Sequence, residues 1–574
     1  MKQSFRFRKI HYVLAATVLV ALVIFLMLYF LLKPITTIRG AVVTNGRGCS
    51  AIGNSILDSG GSVADAAIAA LFCEGVSMPF SMGLGGGFLL TIYDRQTGLV
   101  ESLDAREKAP AGAHENMFNG SAELSLRGGL SAAVPGELRG YWALYKKYGY
   151  LPWRELVEPT IQLCRNGIYV TAYLARNYRE KRDLIYADPV LRDIFFDPDT
   201  NDTYVEGQYV KRLRLARTLE VIANEGGDAL YTGSLVESLV KDIESKGGII
   251  TVEDMKNYTP IWQEPITTRL NGNYTVHTTP LPGSGVILTF ILNILDGFLN
   301  ATQPYSTETF QRIVESFKFG YGKRTELGDS LFVEGIEDLV ANLTSKSYAD
   351  EIRKQISDTA TSNDASYYGA KTTLTEDHGT AQVSVLAPNG DAISVTSTIN
   401  QVFGAGFASN STGIILNDEM DDFSSPSVTN GFGIPPSAAN YIKPNKRPLS
   451  SMVPSIILKD NDVVLVTGAA GGTKITTVVA QVIVKHLWFG IDLKDAIEEK
   501  RIHHQLFPMQ IELEEGFDDA YPDVVRDLVS FGHNFTLTPT TNGFSALTSI
   551  SAKDGNIVAA FDSRRGGYVT YNVG

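Results

Sequence analysis

Residues 378–400 read HGTAQVSVLAPNGDAISVTSTIN. Two runs that alternate apolar and polar residues flank Pro388-Asn389-Gly390, the pattern of a β-hairpin. Pro388 pre-sets the first turn position and Gly390 takes the left-handed one, which gives a three-residue loop with a G1 bulge. That loop pairs Ala387 with Asp391. Followed outward, it sets Thr380 opposite Thr398 and His378 opposite Asn400. Val383, Val385, Ile393 and Val395 share the other face as core. A two-residue Asn-Gly turn would shift the pairing by one and separate the threonines.

Thr380 thus opens a strand, follows a glycine, and has a second hydroxyl across from it. A threonine hydroxyl is a weak nucleophile by itself. It becomes competent as the first residue of a chain, because its own α-amine then serves as base. With a pKa of about 7.7–8.0, that amine suits proton transfer near neutral pH. The reading requires a cut at Gly379–Thr380, where the Thr380 hydroxyl can attack the open Gly379 carbonyl. On these residues alone, an ordinary strand threonine is the alternative.

Around the hairpin, helix and strand patterns mix through all 574 residues. Helical patterns occur at Gly61–Glu74, capped by Ser62 or Asp65, and at Gly136–Lys147. Strand-like runs occur at Gly87–Tyr93, Val383–Leu386, Ala392–Val395, Ser455–Leu458, Val463–Val466 and Ile557–Phe561. The mixture argues for α/β or α+β with a layered core. Residues 357–380 are polar and weakly periodic, and read as an exposed, flexible segment suited to a chain cut. With 44% hydrophobic and 20% charged residues, the chain fills a core, which excludes intrinsic disorder. A net charge of −13 repels phosphate backbones, so no nucleic-acid partner is expected. Three cysteines are too few for a Cys-rich zinc module. Cys49 and Cys73 can bridge in an oxidising compartment, leaving Cys164 as a buried small hydrophobe.

Val13 to Leu32 is an apolar run of about 20 residues, long enough to cross a hydrocarbon core. It ends at Lys33-Pro34 without a small-residue cleavage site, so it reads as a retained signal-anchor. Arg6, Arg8 and Lys9 place residues 1–12 in the cytosol, and everything after Lys33 outside. Residues 33–40 form a short stem. The outside placement agrees with eight N-x-[ST] sequons, at Asn119, Asn201, Asn257, Asn273, Asn300, Asn342, Asn410 and Asn534.

Several nucleotide and metal motifs fail. Gly83-Leu84-Gly85-Gly86-Gly87-Phe88 lacks the last glycine of a dinucleotide fingerprint. In Gly468–Ile475, Thr473 and Ile475 replace residues that a P-loop needs. No G-x-S-x-G, H-E-x-x-H or CxxC is present. His503-His504 would point apart, so the histidines read as solvated or capping groups, with no metal site.

The chain resembles gamma-glutamyltransferase (gamma-glutamyl transpeptidase), an N-terminal nucleophile hydrolase, over nearly all of residues 40–574. The likeness lies in the strings at 81–87, 104–107, 133–137, 379–381, 396–400, 417–423, 448–452 and 468–473. It implies an α+β fold, a four-layer αββα sandwich, preceded here by one transmembrane helix in the manner of the animal type II membrane form. It implies a precursor that cuts itself before Thr380 into a large subunit, 41–379 with the anchor at 13–32, and a small subunit, 380–574. The two would stay associated as a heterodimer at the cell membrane. Thr380 is then the nucleophile and Thr398 supports its hydroxyl. Arg106, Ser450 and Ser451 would bind the α-carboxylate of the glutamyl group, and Asn400, Glu419 and Asp422 its α-ammonium. Gly471 and Gly472 would supply backbone N–H donors at the start of a helix read over Thr473–Lys485. The Cys49–Cys73 disulfide also carries over.

The implied reaction cleaves glutathione, its conjugates and other γ-glutamyl compounds, passing the group to water or to amino acid or dipeptide acceptors. Residue by residue, other readings exist: Arg106 as a surface ion pair, Asp421-Asp422 as a solvated turn, Ser450-Ser451 as a helix cap. A surface glycoprotein that keeps the fold as a binding module is the rival from another class, and an enzyme narrowed to glutathione conjugates a nearer one. His378 departs from the glycine of vertebrate relatives, without an expected block to self-cleavage. A second family disulfide in the large subunit has no cysteine pair here.

Overall fold

The hairpin forms with the three-residue loop. Ala387 N–H donates to the Asp391 carbonyl at 2.9 Å, Gly390 N–H to the Ala387 carbonyl at 3.0 Å, and Gly390 sits at φ 89°. Strands Ala381–Leu386 and Ala392–Thr398 pair antiparallel from Leu386–Ala392 to Ala381–Ser397, so the expected register holds. Thr380 lies one step beyond the last pair. The computed structural model describes residues 16–24, 27, 37–372, 379–426, 436–553 and 555–574.

The hairpin is the centre of a seven-stranded antiparallel sheet. Its order is Tyr568–Val573, Ile38–Thr44, Ala381–Leu386, Ala392–Thr398, Gly87–Asp94, Leu99–Ala105 and Ile261–Gln263. A six-stranded antiparallel sheet stacks on it, in the order Asn556–Phe561, Ala546–Lys553, Asp462–Ala470, Ser455–Lys459, Tyr274–Thr278 and Ile266–Leu270. The chain is therefore α+β with two antiparallel sheets. Helices Val63–Ser77, Glu137–Tyr148 and Trp153–Asn166 share a core with Val383, Val385, Ile393 and Val395 on the outer face of the first sheet. Helices Gly285–Leu295, Thr307–Arg324 and Ile475–Ile483 share one with Ile457, Leu465 and Leu547 of the second.

The face between the sheets grades from apolar to polar along the hairpin. Near the turn, Leu386 and Ala392 pack with Ile456, Val466 and Ile550. Further along, Ser384 Oγ donates to the Thr548 carbonyl at 2.9 Å and Ser394 Oγ to the Thr467 carbonyl at 2.8 Å. Gln382 follows, bonded to Ser394 at 2.9 Å and to Thr396 at 2.5 Å, with Gly468 leaving room for its amide. Thr380 and Thr398 come next on this face. Such buried hydroxyls are tolerated because each finds a partner.

Two expectations need correction. Residues 357–368 are anchored rather than loose: Gln311 Nε2 donates to the Ser357 and Ala360 carbonyls at 3.0 Å, and buried Tyr368 donates to Glu315 at 2.9 Å. His503 and His504 are buried, not solvated. His503 Nδ1 lies 2.7 Å from Thr477 Oγ1, and His504 Nδ1 accepts from Leu506 N–H at 3.0 Å. The helix expected over Thr473–Lys485 forms: it begins as a 3₁₀ turn at Gly472–Lys474, is α over Ile475–Ile483, and ends in a π turn at Val484–Trp488. Among the described residues no metal-ligating cluster occurs, and no helix is long and apolar enough to cross a membrane. Half of the run expected as the anchor, and His378, lie outside the described residues. Cys49 and Cys73 are bonded, with Cα atoms 5.3 Å apart, and Cys164 is free and buried.

Ser62 caps helix Val63–Ser77 in a capping box with Asp65, whose carboxylate also accepts from Tyr150 and Leu151 N–H at 3.0 Å. Ser62→Ala should cost about 1 kcal/mol. Asp65→Ala should cost about 2–3 kcal/mol, because it strands several backbone donors. Thermal denaturation should rank the two in that order, and equal losses would contradict the argument.

Candidate active site

Gly379 and Thr380, the pair expected to be cut, sit in unusual backbone. Gly379 has φ 82° and Thr380 φ 108°. For a β-branched residue that region costs roughly 1–3 kcal/mol, strain that persists only where the surroundings impose it. Asn400 and Phe403, at φ 68° each, add to a local cluster of left-handed residues. Glycine is obligatory at 379, since a Cβ there would lie 1.8 Å from the Asn400 carbonyl oxygen. The Thr380 carbonyl accepts from Arg565 Nη1 at 2.5 Å. Two residues on, Gln382 N–H donates to Asn45 Oδ1 at 3.2 Å, so the start of the strand is held from both sides.

Thr398 Oγ1 accepts from Asn400 N–H at 2.8 Å, which fixes the hydroxyl that the register sets across from Thr380. Asn400 Nδ2 donates to the Asp418 carbonyl at 3.2 Å, tying the hairpin's end to the acidic turn Glu419–Asp422. Asn400 Oδ1 and Asp418 Oδ2 are buried and accept no hydrogen bond among the described residues. Arg106 is also buried, and its guanidinium contacts Glu419 and Asp422, with Glu107 at 3.7 Å. It is not a surface pair. Burial holds the Glu107 carboxyl up at about 8 and pushes Asp418 well above the usual carboxylate range.

Ser450 and Ser451 lie in buried extended chain, not at a helix start. Ser450 Oγ accepts from Met452 N–H at 3.2 Å, and Ser451 Oγ from Arg324 Nη2 at 3.0 Å, which leaves both hydroxyl hydrogens to donate. Arg106 Nε donates to the Pro448 carbonyl at 3.4 Å, linking this stretch to the acidic cluster. Gly471 (φ 132°) and Gly472 (φ 66°) precede the helical turn. Neither of their N–H groups donates a hydrogen bond among the described residues. A helix start with spare donors favours developing negative charge. Gly471 and Gly379 line one cleft of about 580 Å³.

Residues 49–571 match the sequence pattern of the family described as gamma-glutamyltranspeptidase. The chain belongs to the gamma-glutamyltranspeptidase family. It is 44% identical to scoloptoxin SSD14 of Scolopendra dehaani, over 92% of each chain. It is 39% identical to glutathione hydrolase proenzyme 1 of Schizosaccharomyces pombe, over 92% of this chain and 83% of the relative. In fold it matches a cephalosporin acylase from Bacillus halodurans with a TM-score of 0.80 at 24% identity, covering 93% of this chain and 96% of that one.

This member of the gamma-glutamyltranspeptidase family brings Arg106, Asn400, Glu419 and Asp422 into one bonded cluster beside Thr398. Sequence reading missed Asp418, Arg324 and Arg565, whose roles come from three-dimensional placement. It also missed Glu107 and Glu137, two buried carboxyls. Glu137 accepts from Ser397 Oγ at 2.9 Å and from Tyr141, directly behind the hairpin's end. Their only sequence signal was their position inside the strings at 104–107 and 133–137.

Gly379→Ala should yield a protein in which cutting at 379–380 is slowed at least a hundredfold, read by denaturing electrophoresis over time. Maturation at the normal rate would refute the close approach to Asn400. Burial raises Glu137 to about 8 from an ordinary value of 4.5, so the folded state holds a proton that the unfolded chain releases. That term stabilises the fold at acid pH and is lost as pH rises through about 8. Glu137→Gln should therefore flatten the fall in melting temperature between about pH 5 and 8. An unchanged slope would contradict a protonated Glu137.

Proposed function

We propose that this protein is a glutathione hydrolase and γ-glutamyl transferase working through an ester on Thr380. The observation that carries the reading is the Arg106–Glu419–Asp422 cluster, with Asn400, beside a strained Gly379–Thr380 bond. A γ-glutamyl group ends in a zwitterion. Its carboxylate suits the fork of Arg106 and the hydroxyl hydrogens of Ser450 and Ser451. Its ammonium suits Glu419, Asp422 and Asn400 Oδ1. The zwitterion thus exchanges the internal pairing of Arg106 with Glu419 and Asp422 for two complementary pairings of its own, without changing the net charge of the buried site.

Maturation comes first. The Thr380 hydroxyl attacks the Gly379 carbonyl, the peptide C–N bond breaks, and an ester forms that frees the Thr380 amine. Water hydrolyses the ester, giving a carboxylate at Gly379 and a new chain start at Thr380. The large subunit, 41–379, and the small one, 380–574, stay together because the seven-stranded sheet takes strands from both. In turnover, Thr380 Oγ attacks the γ-amide carbon and its proton passes to the α-amine. Gly471 and Gly472 N–H groups receive the oxyanion. The amide C–N bond breaks, the leaving amine takes the proton, and the γ-glutamyl ester passes to water or to an amino acid or dipeptide acceptor.

The same reading extends to the chain's setting. The apolar run at 13–32 serves as a signal-anchor, with residues 1–12 cytosolic and the catalytic part outside the cell. All eight sequon asparagines are exposed, which supports their use as glycan acceptors.

The test is glutathione itself. Purified matured protein should release glutamate and cysteinylglycine, and no release would sink the reading. Against a γ-glutamyl anilide, Arg106→Lys keeps the charge but loses the fork, and KM should rise about 10–100-fold. A glutaryl anilide, which lacks the ammonium, should react about 10³-fold less well, since it leaves buried carboxylates uncompensated.

A further inference from the structure

The cleft that holds Gly379 and Gly471 does not end there. It adjoins a second cleft, of about 1190 Å³: helix Ala172–Glu180 contributes to both, and Tyr173, Thr541, Arg564 and Arg565 line both. Together the two exceed the space that a small ligand usually needs. Their walls carry eight cationic and four anionic side chains, in a protein whose net charge is −13. The local excess runs against the average of the chain.

Half of those cations already have acidic partners. Arg564 pairs with Glu514 and Asp562, Arg182 with Asp202, Lys474 with Glu512, and Arg176 lies 4.0 Å from Glu180. Arg47, Arg179, Lys181 and Arg565 make no ion pair among the described residues. Two of these are oriented by aromatic rings. The Arg47 guanidinium sits 3.9 Å from the Tyr169 ring centre, and that of Arg565 5.8 Å from Tyr173. Rings fix guanidinium planes in advance, which lowers the cost of ordering them on an anion. Arg565 also bonds the Thr380 carbonyl, so the cationic wall reaches the nucleophile's own residue. The glutamyl grips lie elsewhere, around Arg106. This wall therefore faces what is attached beyond the scissile amide.

We propose that the paired clefts form the leaving-group and acceptor channel, and that they select acidic peptides, with carboxylates beyond the γ-glutamyl bond. This rests on the γ-glutamyl transfer reading above. Such donors gain from a channel of unspent cations through both steering and binding.

The test compares matured full-length protein on two donors, γ-glutamyl-Asp-Asp and the neutral γ-glutamyl-Ala-Ala amide. The glutamyl end is common, so the ratio of their kcat/KM values isolates the channel. Wild type should favour the acidic donor. An Arg47→Ala/Arg179→Ala/Lys181→Ala variant should lose about tenfold of that preference. Raising salt from about 0.05 to about 0.5 M should erode the wild-type preference several-fold, and this needs no variant if the triple substitution fails to mature. No acidic preference in the wild type, or a ratio indifferent to both substitution and salt, overturns the proposal while γ-glutamyl transfer stands. If matured wild type cleaves neither donor nor glutathione, the parent reading fails instead.

Discussion

Everything in this structure depends on the close approach of Gly379 to the carbonyl of Asn400. The hairpin register sets residue 379 against the chain just past Thr398, and only a residue without Cβ fits. That contact puts Thr380 into a backbone region a β-branched residue avoids. The strain is stable because the hairpin is central in a seven-stranded sheet, anchored by a core on one face and a hydrogen-bonded seam on the other. A rigid scaffold thus holds strained backbone at the bond where the proposed cut falls.

The seam between the sheets connects fold and chemistry. Apolar packing near the turn closes the sandwich, and the graded run of Ser384, Ser394, Gln382 and Thr396 brings polarity inward toward Thr380. Hydroxyls there are satisfied by the opposing sheet, so no water is needed to line them. The same logic ties Asn400 to Asp418 and so to Glu419 and Asp422. One set of hydrogen bonds thus runs from Thr398 through Asn400 to the acidic turn.

Much of this was legible in the sequence. Pro388-Asn389-Gly390 determined the loop, the loop determined the register, and the register predicted which face carries the threonines. Ser62 and Asp65 announced their helix start. What was not legible was burial of polar groups at long range. Residues 357–368 look loose because they are polar, yet Glu315, Lys318 and Gln311 supply partners from a helix some 40 residues away in the chain. His503 and His504 look solvated for the same reason. Arg106 resembles any surface arginine until two carboxyls from one distant segment, Glu419 and Asp422, join neighbouring Glu107 around it. Local patterns report periodicity and turns, whereas partners for buried charge come from tertiary contact.

The account's central claim is that the Thr380 hydroxyl cuts the chain at its own amide and then serves as nucleophile. The most direct measurement is intact mass with N-terminal sequencing of the purified wild-type protein and of Thr380→Ala, both denatured. The account predicts two wild-type chains, one beginning at Thr380, and a single uncut chain in the variant. A variant cut at the same bond, or a wild type that is active as one chain, would contradict it.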